Sequence, residues 1–272
     1  MKNMRKQIAA FSLIELMVVI AMVAILVACM LPALAAARPK VQHLTCSNNL
    51  IQVGIAFRTW AISHNGNMPM QTPSALGGNA DTDVGMRIVS STQTSSRGVS
   101  KMFLTMSNEL SAPMILFCPA EYESWQRQPA SSFAPRNVGT NNAVPYTNDL
   151  NCSYFIGIDA SETYPWMFLT GDHNLGGNGN PPTVPFLSAP SIGTPFVSLG
   201  TNFTVNMGPA WMDNMHAKQG NVGLADGSVE WFNRSQLQAA LKNTGDRGRA
   251  AAMVVNAPGV IGTAGCNRIQ LP

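Results

Sequence analysis

Ala10-Phe11-Ser12-Leu13-Ile14-Glu15 stands between a short basic leader and a long apolar run, and the reading of this stretch decides the fold. Lys2, Arg5 and Lys6 charge the leader. From Phe11 to Ala37 the single charged residue is Glu15, and the uncharged run from Leu16 to Ala37 is 22 residues long. A bilayer-spanning helix needs about 20 apolar residues. A carboxylate at the mouth of such a run is costly and asks for a partner. An ordinary secretory signal peptide is a competing reading, because Ala33-Leu34-Ala35 and Ala35-Ala36-Ala37 both look like small-residue cleavage sites. An uncleaved anchor is another. Neither needs an acid at Glu15. Cleavage after Ala37 also leaves the next segment unexplained: Val41, Leu44, Leu50, Val53, Phe57 and Ala61 fall mostly three and four apart, as one face of a continuing helix.

The stretch resembles the prepilin signature of type IV pilins and type II secretion pseudopilins. In that family a dedicated peptidase cuts before a Phe, and the fifth residue after the cut is Glu. The resemblance puts the cut between Ala10 and Phe11 and makes Glu15 that fifth residue. Ala10 and Ser12 stand where the family usually has Gly and Thr. Pro32 is the twenty-second residue after the cut, where many pilins carry a kinking proline. Further segments resemble, in order, those of a large pseudopilin-like group: Cys46-Ser47-Asn48-Asn49-Leu50 with Gly54 and Trp60, Met106 to Leu110, Leu116-Phe117-Cys118-Pro119, Ser153-Tyr154-Phe155 and Gly171-Asp172-His173-Asn174-Leu175. His216, nine intervening residues and then Asp226-Gly227 resemble the motif by which the group's C-terminal part is known. Asn267 to Pro272 resembles its usual end.

The resemblance implies an α+β, pilin-like fold, with a protruding N-terminal helix packed on an antiparallel sheet. It divides the chain into a leader at 1–10, a transmembrane and assembly helix at 11–37, its amphipathic continuation at 38–62 and a globular α+β domain at 63–272. It implies processing by prepilin peptidase, N-methylation of Phe11 and a single-pass inner-membrane precursor with a periplasmic domain. An inner-membrane assembly platform would then build the chain into a homo- or hetero-polymeric filament of a pilus or a secretion pseudopilus. Glu15 of one subunit would pair with the Phe11 amine of the next, since either charge left alone in a low-dielectric setting costs several kcal/mol. The plainer alternative for Glu15 is an acid reaching out to the interface. The resemblance also implies a disulfide between helix and domain. Cys46 and Cys118 match recurring family cysteines; Cys118 with Cys152 is the second choice.

Composition narrows the rest. The chain has 272 residues, 11% of them charged, with a net charge of +3 and no block of Lys and Arg, so a nucleic-acid footprint is not supported. Removing the first 60 or so residues leaves about 210, enough for one well-cored domain. The basic leader fits the positive-inside rule and keeps itself in the cytoplasm. Of five cysteines, Cys29 lies in the apolar run as a free thiol, and the other four would face an oxidising compartment. Without any Cys-x-x-Cys pair, a zinc ribbon or thioredoxin-like site is not expected.

Phe11 to about Ile62 reads as one helix bent by Pro32 and Pro39, because an interior proline loses a hydrogen bond and clashes with the preceding turn. Gly77 to Lys101 reads as a polar surface loop and Lys101 to Leu110 as a short helix. Strands are expected at Met114–Phe117, Tyr154–Ile158, Trp166–Thr170 and Phe196–Leu199. Gly171 to Pro185 reads as loop throughout. Asp226-Gly227 between Asn221–Leu224 and Ser228–Phe232 is a strong hairpin signal, because glycine takes the positive φ the turn requires. Ser235 reads as the N-cap of a helix through Leu241, and the glycine-rich last 30 residues as an irregular tail.

No catalytic set is expected. Gly-x-Ser-x-Gly, His-Glu-x-x-His and phosphate-loop motifs are absent from the sequence. His216 and Asp226 are ten residues apart, too far to form a catalytic pair if the segment between them is mostly strand, so His216 reads as a structural hydrogen-bonder and Asp226 as a turn residue. Asp172-His173, at a strand end, is the best case for a second His-Asp set nearby. His43 reads as a solvated helix residue. No cofactor is expected; calcium is the one candidate, on the clustered oxygen donors Asp81, Thr82 and Asp83. Two functions remain: a filament subunit, or a membrane-tethered extracytoplasmic module that holds a polysaccharide or protein partner with its polar loops.

Overall fold

The computed structural model describes residues 12–79, 98–121, 127–134, 144–177, 184–185, 196–201, 203, 208–244, 253–255 and 267–272. The leader with Ala10 and Phe11, the donors Asp81 to Asp83, and Cys266 lie outside these residues.

Helix α1 spans Leu13–Ser63, 51 residues, and runs through both Pro32 and Pro39. Glu15 lies in its first turn, where Oε2 accepts the Ser12 backbone N–H at 2.9 Å. That bond satisfies one of the donors every helix start leaves open. The apolar side chains from Leu13 to Leu34 are exposed, and the helix is long and apolar enough to cross a membrane.

The chain separates into two compact units between Val41 and Gln42. From Gln42 onward α1 therefore belongs to the globular unit. The helix buries Cys46, Leu50, Val53, Phe57 and Trp60, spaced four and three, with Gly54, Ala56 and Ala61 beside them. The expected stripe is corrected at its start. Val41 and Leu44 are 59% and 60% exposed because they lie out of phase with Cys46 and Leu50.

Helices α2 (Val99–Thr105) and α3 (Ser107–Leu110) replace the single helix expected there. The strands are β1 (Tyr154–Gly157), β2 (Phe168–Asp172), β3 (Leu175–Gly177), β4 (Val184–Pro185), β5 (Phe196–Ser198), β6 (Ala210–Trp211), β7 (Gly220–Leu224), β8 (Val229–Phe232), β9 (Met253–Val255) and β10 (Arg268–Gln270), with helix α4 (Arg234–Asn243) after β8. Seven of them form an antiparallel sheet in the order β8-β7-β2-β1-β10-β5-β9. The other three form a small antiparallel sheet, β4-β3-β6. The architecture is α+β and pilin-like.

The centre of the main sheet, β7-β2-β1-β10, is buried on both faces. Alternation along β1 sends Tyr154 and Ile156 into one core with Leu50, Val53 and Phe57 of α1. Phe155 goes to a second core with Leu237 and Leu241 of α4. Leu169 and Phe168 of β2 divide the same way, as the two-residue period requires.

Four expectations are corrected. Met114–Phe117 is no strand: Pro113–Leu116 is a 3-10 turn opened by Pro113, whose fixed φ suits a helical start. Gly171–Pro185 is not all loop, since it holds the end of β2 together with β3 and β4. Helix α4 is capped by Asn233 rather than Ser235. Asn233 and Gln236 exchange reciprocal bonds as a capping box, and the Ser235 hydroxyl donates to Asn233 Oδ1 at 2.8 Å. The tail supplies β9 and β10, and β10 lies inside the main sheet between β1 and β5.

Candidate functional site

Four separate stretches meet at one buried spot. Cys46 comes from α1, Cys118 from just beyond the Pro113–Leu116 turn, Asp172 from the end of β2, and His216 from the turn before β7. Cys46 and Cys118 form a disulfide across a sequence separation of 72, with Cα atoms 5.2 Å apart. Cys152, the other proposed partner, is corrected to a buried free thiol bonded to the Tyr154 carbonyl at 3.4 Å. Burial pushes its thiol far up, out of the reactive range.

His216 Nε2 lies 3.2 Å from Cys118 Sγ and 3.5 Å from Asp172 Oδ2. Both contacts use the same ring nitrogen, which excludes a relay in which cysteine and carboxylate grip opposite nitrogens. The His216 and Asp172 side chains are 2% and 0% exposed. Asn221, on β7, orients the carboxylate: its backbone N–H and its Nδ2 both donate to Asp172 Oδ2, at 2.7 and 3.0 Å. Burial lifts the Asp172 carboxyl to about 7, against the pull of those two bonds and with a smaller push from the Glu121 charge. Burial, with a contribution from nearby His43, lowers His216 to about 4. His43 is no solvated residue. It is half-buried, with its ring 3.6 Å from that of Trp231 and 6.1 Å from that of His216.

The backbone at His216 is unusual. His216, Ala217 and Lys218 have φ of 49°, 51° and 64° in succession. A left-handed run costs L-residues about 1–2 kcal/mol each, and such strain persists only where the surroundings over-determine it.

A second polar group, which sequence reasoning missed, adjoins the first. Glu121 Oε1 takes His173 Nε2 at 2.8 Å and Arg127 Nε at 3.0 Å, and Glu121 Oε2 accepts the Ser153 hydroxyl. Burial alone would raise Glu121, but His173, Arg127 and Ser153 together hold it below the usual carboxylate range. Arg127 also donates to the backbone oxygens of Asp149, Cys152 and Pro272. His173 thus serves Glu121, while its neighbour Asp172 serves His216. The residues involved come from distant parts of the chain, so no sequence spacing could have announced them.

Asp226 is not at this spot. Its Oδ1 accepts from the backbone N–H and the hydroxyl of Ser228, at 2.8 and 2.7 Å, closing the turn of the β7–β8 hairpin. Gly227, at φ +87°, faces α1. A Cβ on Gly54 would sit 3.9 Å from the Gly227 Cα, and a Cβ on Gly227 would sit 3.0 Å from Arg58 Nη1. The two ends of the His-x9-Asp-Gly motif therefore meet α1 at Cys46 and at Gly54, eight residues or about 12 Å apart on the helix. The motif grips the helix at two points through one strand.

Residues 5–28 match the prokaryotic N-terminal methylation motif. The match takes in Ala10, Phe11, Glu15 and the first turns of the apolar helix. No curated protein and no solved structure matches the chain significantly. Motif, long apolar helix and antiparallel sheet are together consistent with a type IV pilin- or pseudopilin-like protein.

Proposed function

We propose that the chain is a structural subunit of a type IV pilus-like or type II secretion pseudopilus filament, cut by prepilin peptidase between Ala10 and Phe11 and polymerised through α1. The observation that carries this reading is the methylation motif at 5–28, continuous with a helix whose apolar side chains lie bare from Leu13 to Leu34. Bare apolar surface is unfavourable by roughly 25 cal/mol per Å². Lipid would cover it in the precursor, and neighbouring copies of α1 in the filament. Glu15, bonded to Ser12 in the lone chain, would exchange that amide for the Phe11 amine of a neighbour. Both bonds use the Glu15 carboxylate, but the amine adds the attraction of a full opposite charge, which a low-dielectric setting strengthens. The inner-membrane platform would extract the subunit, with the globular unit on the periplasmic side.

Intact-mass analysis of membrane-derived protein tests processing. The expected mature chain begins at N-methyl-Phe11; a start at Ala36 or Arg38 would indicate a signal peptide instead. Glu15→Ala is expected to insert normally but to yield few filaments, and wild-type yield from that variant would overturn the pairing role.

A further inference from the structure

The spot where Cys46, Cys118, His216 and Asp172 converge holds more than a disulfide needs. A disulfide requires two sulfurs with their Cα atoms in reach. Here the Cys46 and Cys118 sulfurs and His216 Nε2 all lie within 4.8 Å of one another, and Asp172 Oδ2 is 3.5 Å from that nitrogen. Asp172 Oδ1 is fully buried and has no hydrogen-bond partner among the described residues. The strained turn at His216 to Lys218 presents the imidazole to the sulfurs.

Two thiolates, one imidazole and one carboxylate are a zinc donor set. Tetrahedral zinc, with bonds of about 2.0–2.3 Å, places its ligand atoms roughly 3.3–3.8 Å apart. The nitrogen-to-sulfur distance of 3.2 Å and the nitrogen-to-carboxylate distance of 3.5 Å already fall close to that spacing. Opening the S–S bond frees each sulfur to turn about its own Cβ. Asn221 supplies the outer support that ligating carboxylates ordinarily have, through its two bonds to Asp172.

We infer that in the dithiol state this locus binds one zinc ion through Cys46 Sγ, Cys118 Sγ, His216 Nε2 and Asp172. Zinc and disulfide are then alternative staples joining α1 to the domain at the same place. The chain is synthesised with thiols, so the zinc form needs no reductant. Its conversion balances as a two-electron exchange with a disulfide oxidant. The two zinc-bound thiolates join as the Cys46–Cys118 disulfide, the oxidant's S–S bond is reduced to two thiolates, and Zn²⁺ leaves. The metal form would hold helix and domain together until oxidation fixes them.

The test uses the full chain in detergent micelles, with Cys29, Cys152 and Cys266 each changed to Ser so that only Cys46 and Cys118 remain. Cobalt(II) is the probe. The reduced protein is expected to show the visible bands of tetrahedral cobalt thiolate, saturating at one equivalent and displaced by one equivalent of Zn²⁺. The disulfide form is expected to show none. Adding a small-molecule disulfide should release the metal in step with loss of thiols. His216→Ala should weaken binding at least about tenfold, Asp172→Asn should weaken it and shift the bands, and His216→Cys should restore tight binding as a third thiolate. Near-UV circular dichroism of each variant in its disulfide form shows whether the fold survives. No tetrahedral cobalt spectrum from the reduced chain, or unchanged affinity in a folded His216→Ala variant, would overturn the assignment.

Discussion

Two glycines that touch each other should respond to alanine with opposite signs. Gly54 sits inside α1 and Gly227 in the β7–β8 turn, and the turn packs against the helix there. A methyl on Gly54 meets nothing nearer than the Gly227 Cα at 3.9 Å and its carbonyl oxygen at 4.0 Å, both ordinary contacts. Glycine within a helix costs about 0.8–1 kcal/mol relative to alanine. Gly54→Ala should therefore stabilise the globular unit by about 0.5–1 kcal/mol. Gly227 has φ +87°, where an L-residue pays about 1–2 kcal/mol. Its methyl would also press on Arg58 Nη1 at 3.0 Å, a flexible tip able to move aside. Gly227→Ala should destabilise by about 1–2 kcal/mol, and Gly227→Val by more, since a branched Cβ cannot clear the guanidinium. Urea unfolding of the full chain in micelles, followed by tryptophan fluorescence, reads both. With a slope of about 2 kcal/mol per molar, the midpoints should move up by about 0.3–0.5 M for Gly54→Ala and down by about 0.5–1 M for Gly227→Ala. A Gly54→Ala midpoint lower than wild type would show that the turn lies too close to the helix to admit a methyl, and the 3.9 Å clearance at Gly54 would be wrong.

Replacing Cys46 and Cys118 together by alanine should cost about 4 kcal/mol, the chain-entropy value for closing a loop of this length, measured by the same unfolding experiment. Arg127→Ala should cost about 3–5 kcal/mol, because it leaves Glu121 partly unpaired in a buried setting together with several backbone carbonyls. Asp172→Asn should behave differently at two pH values in the disulfide-bonded chain. The folded carboxyl holds its proton up to about 7 and the unfolded one only to about 3.8, so its contribution to stability is fully present below the unfolded value and is lost as pH rises through 7. The amide should be close to neutral in effect near pH 4 and more stable than wild type by a few kcal/mol near pH 8. His216 runs the other way in both proteins, its contribution being present above about 6.5 and lost as pH falls towards 4. An Asp172→Asn effect that does not change between pH 4 and pH 8 would refute the buried, protonated carboxyl.

Local signals gave the elements that rest on local chemistry. The apolar run and Glu15 announced α1, and Asp226-Gly227 announced the β7–β8 hairpin, because a turn residue and its strand partners sit side by side in the chain. β1 was legible from Tyr154 to Ile158 as a short apolar run between turn signals. What the sequence hid depends on distant pairing. β3 forms at Leu175-Gly176-Gly177, where glycine argues against a strand, because β6 and β4 supply its hydrogen bonds. β10 carries only Ile269 as an apolar side chain, and it is a strand because β1 and β5 flank it. The burial of Trp60 and the exposure of Leu44 were a matter of phase, which a spacing of three or four leaves open by one turn. The site was half legible. Asp172 and His216 stood out singly, but their convergence, and the parts played by Asn221, Glu121 and Arg127, follow from sheet order and not from spacing.

The place of β10 bears on how the chain becomes a folded body. A polypeptide that reaches its compartment N-terminus first delivers α1 at the start and residues 268–270 more than two hundred residues later. Until then β1 and β5 have no common neighbour, and each shows an open edge of unpaired backbone groups. The main sheet cannot close before residues 268–270 arrive. Closure by so remote a segment is slow, as for any strand pairing of high sequence separation. A ribosome that stops short of residue 270 leaves a protein with a finished α1 and an unfinished, adhesive sheet. Formation of α1 and closure of the main sheet are thus separate events in time.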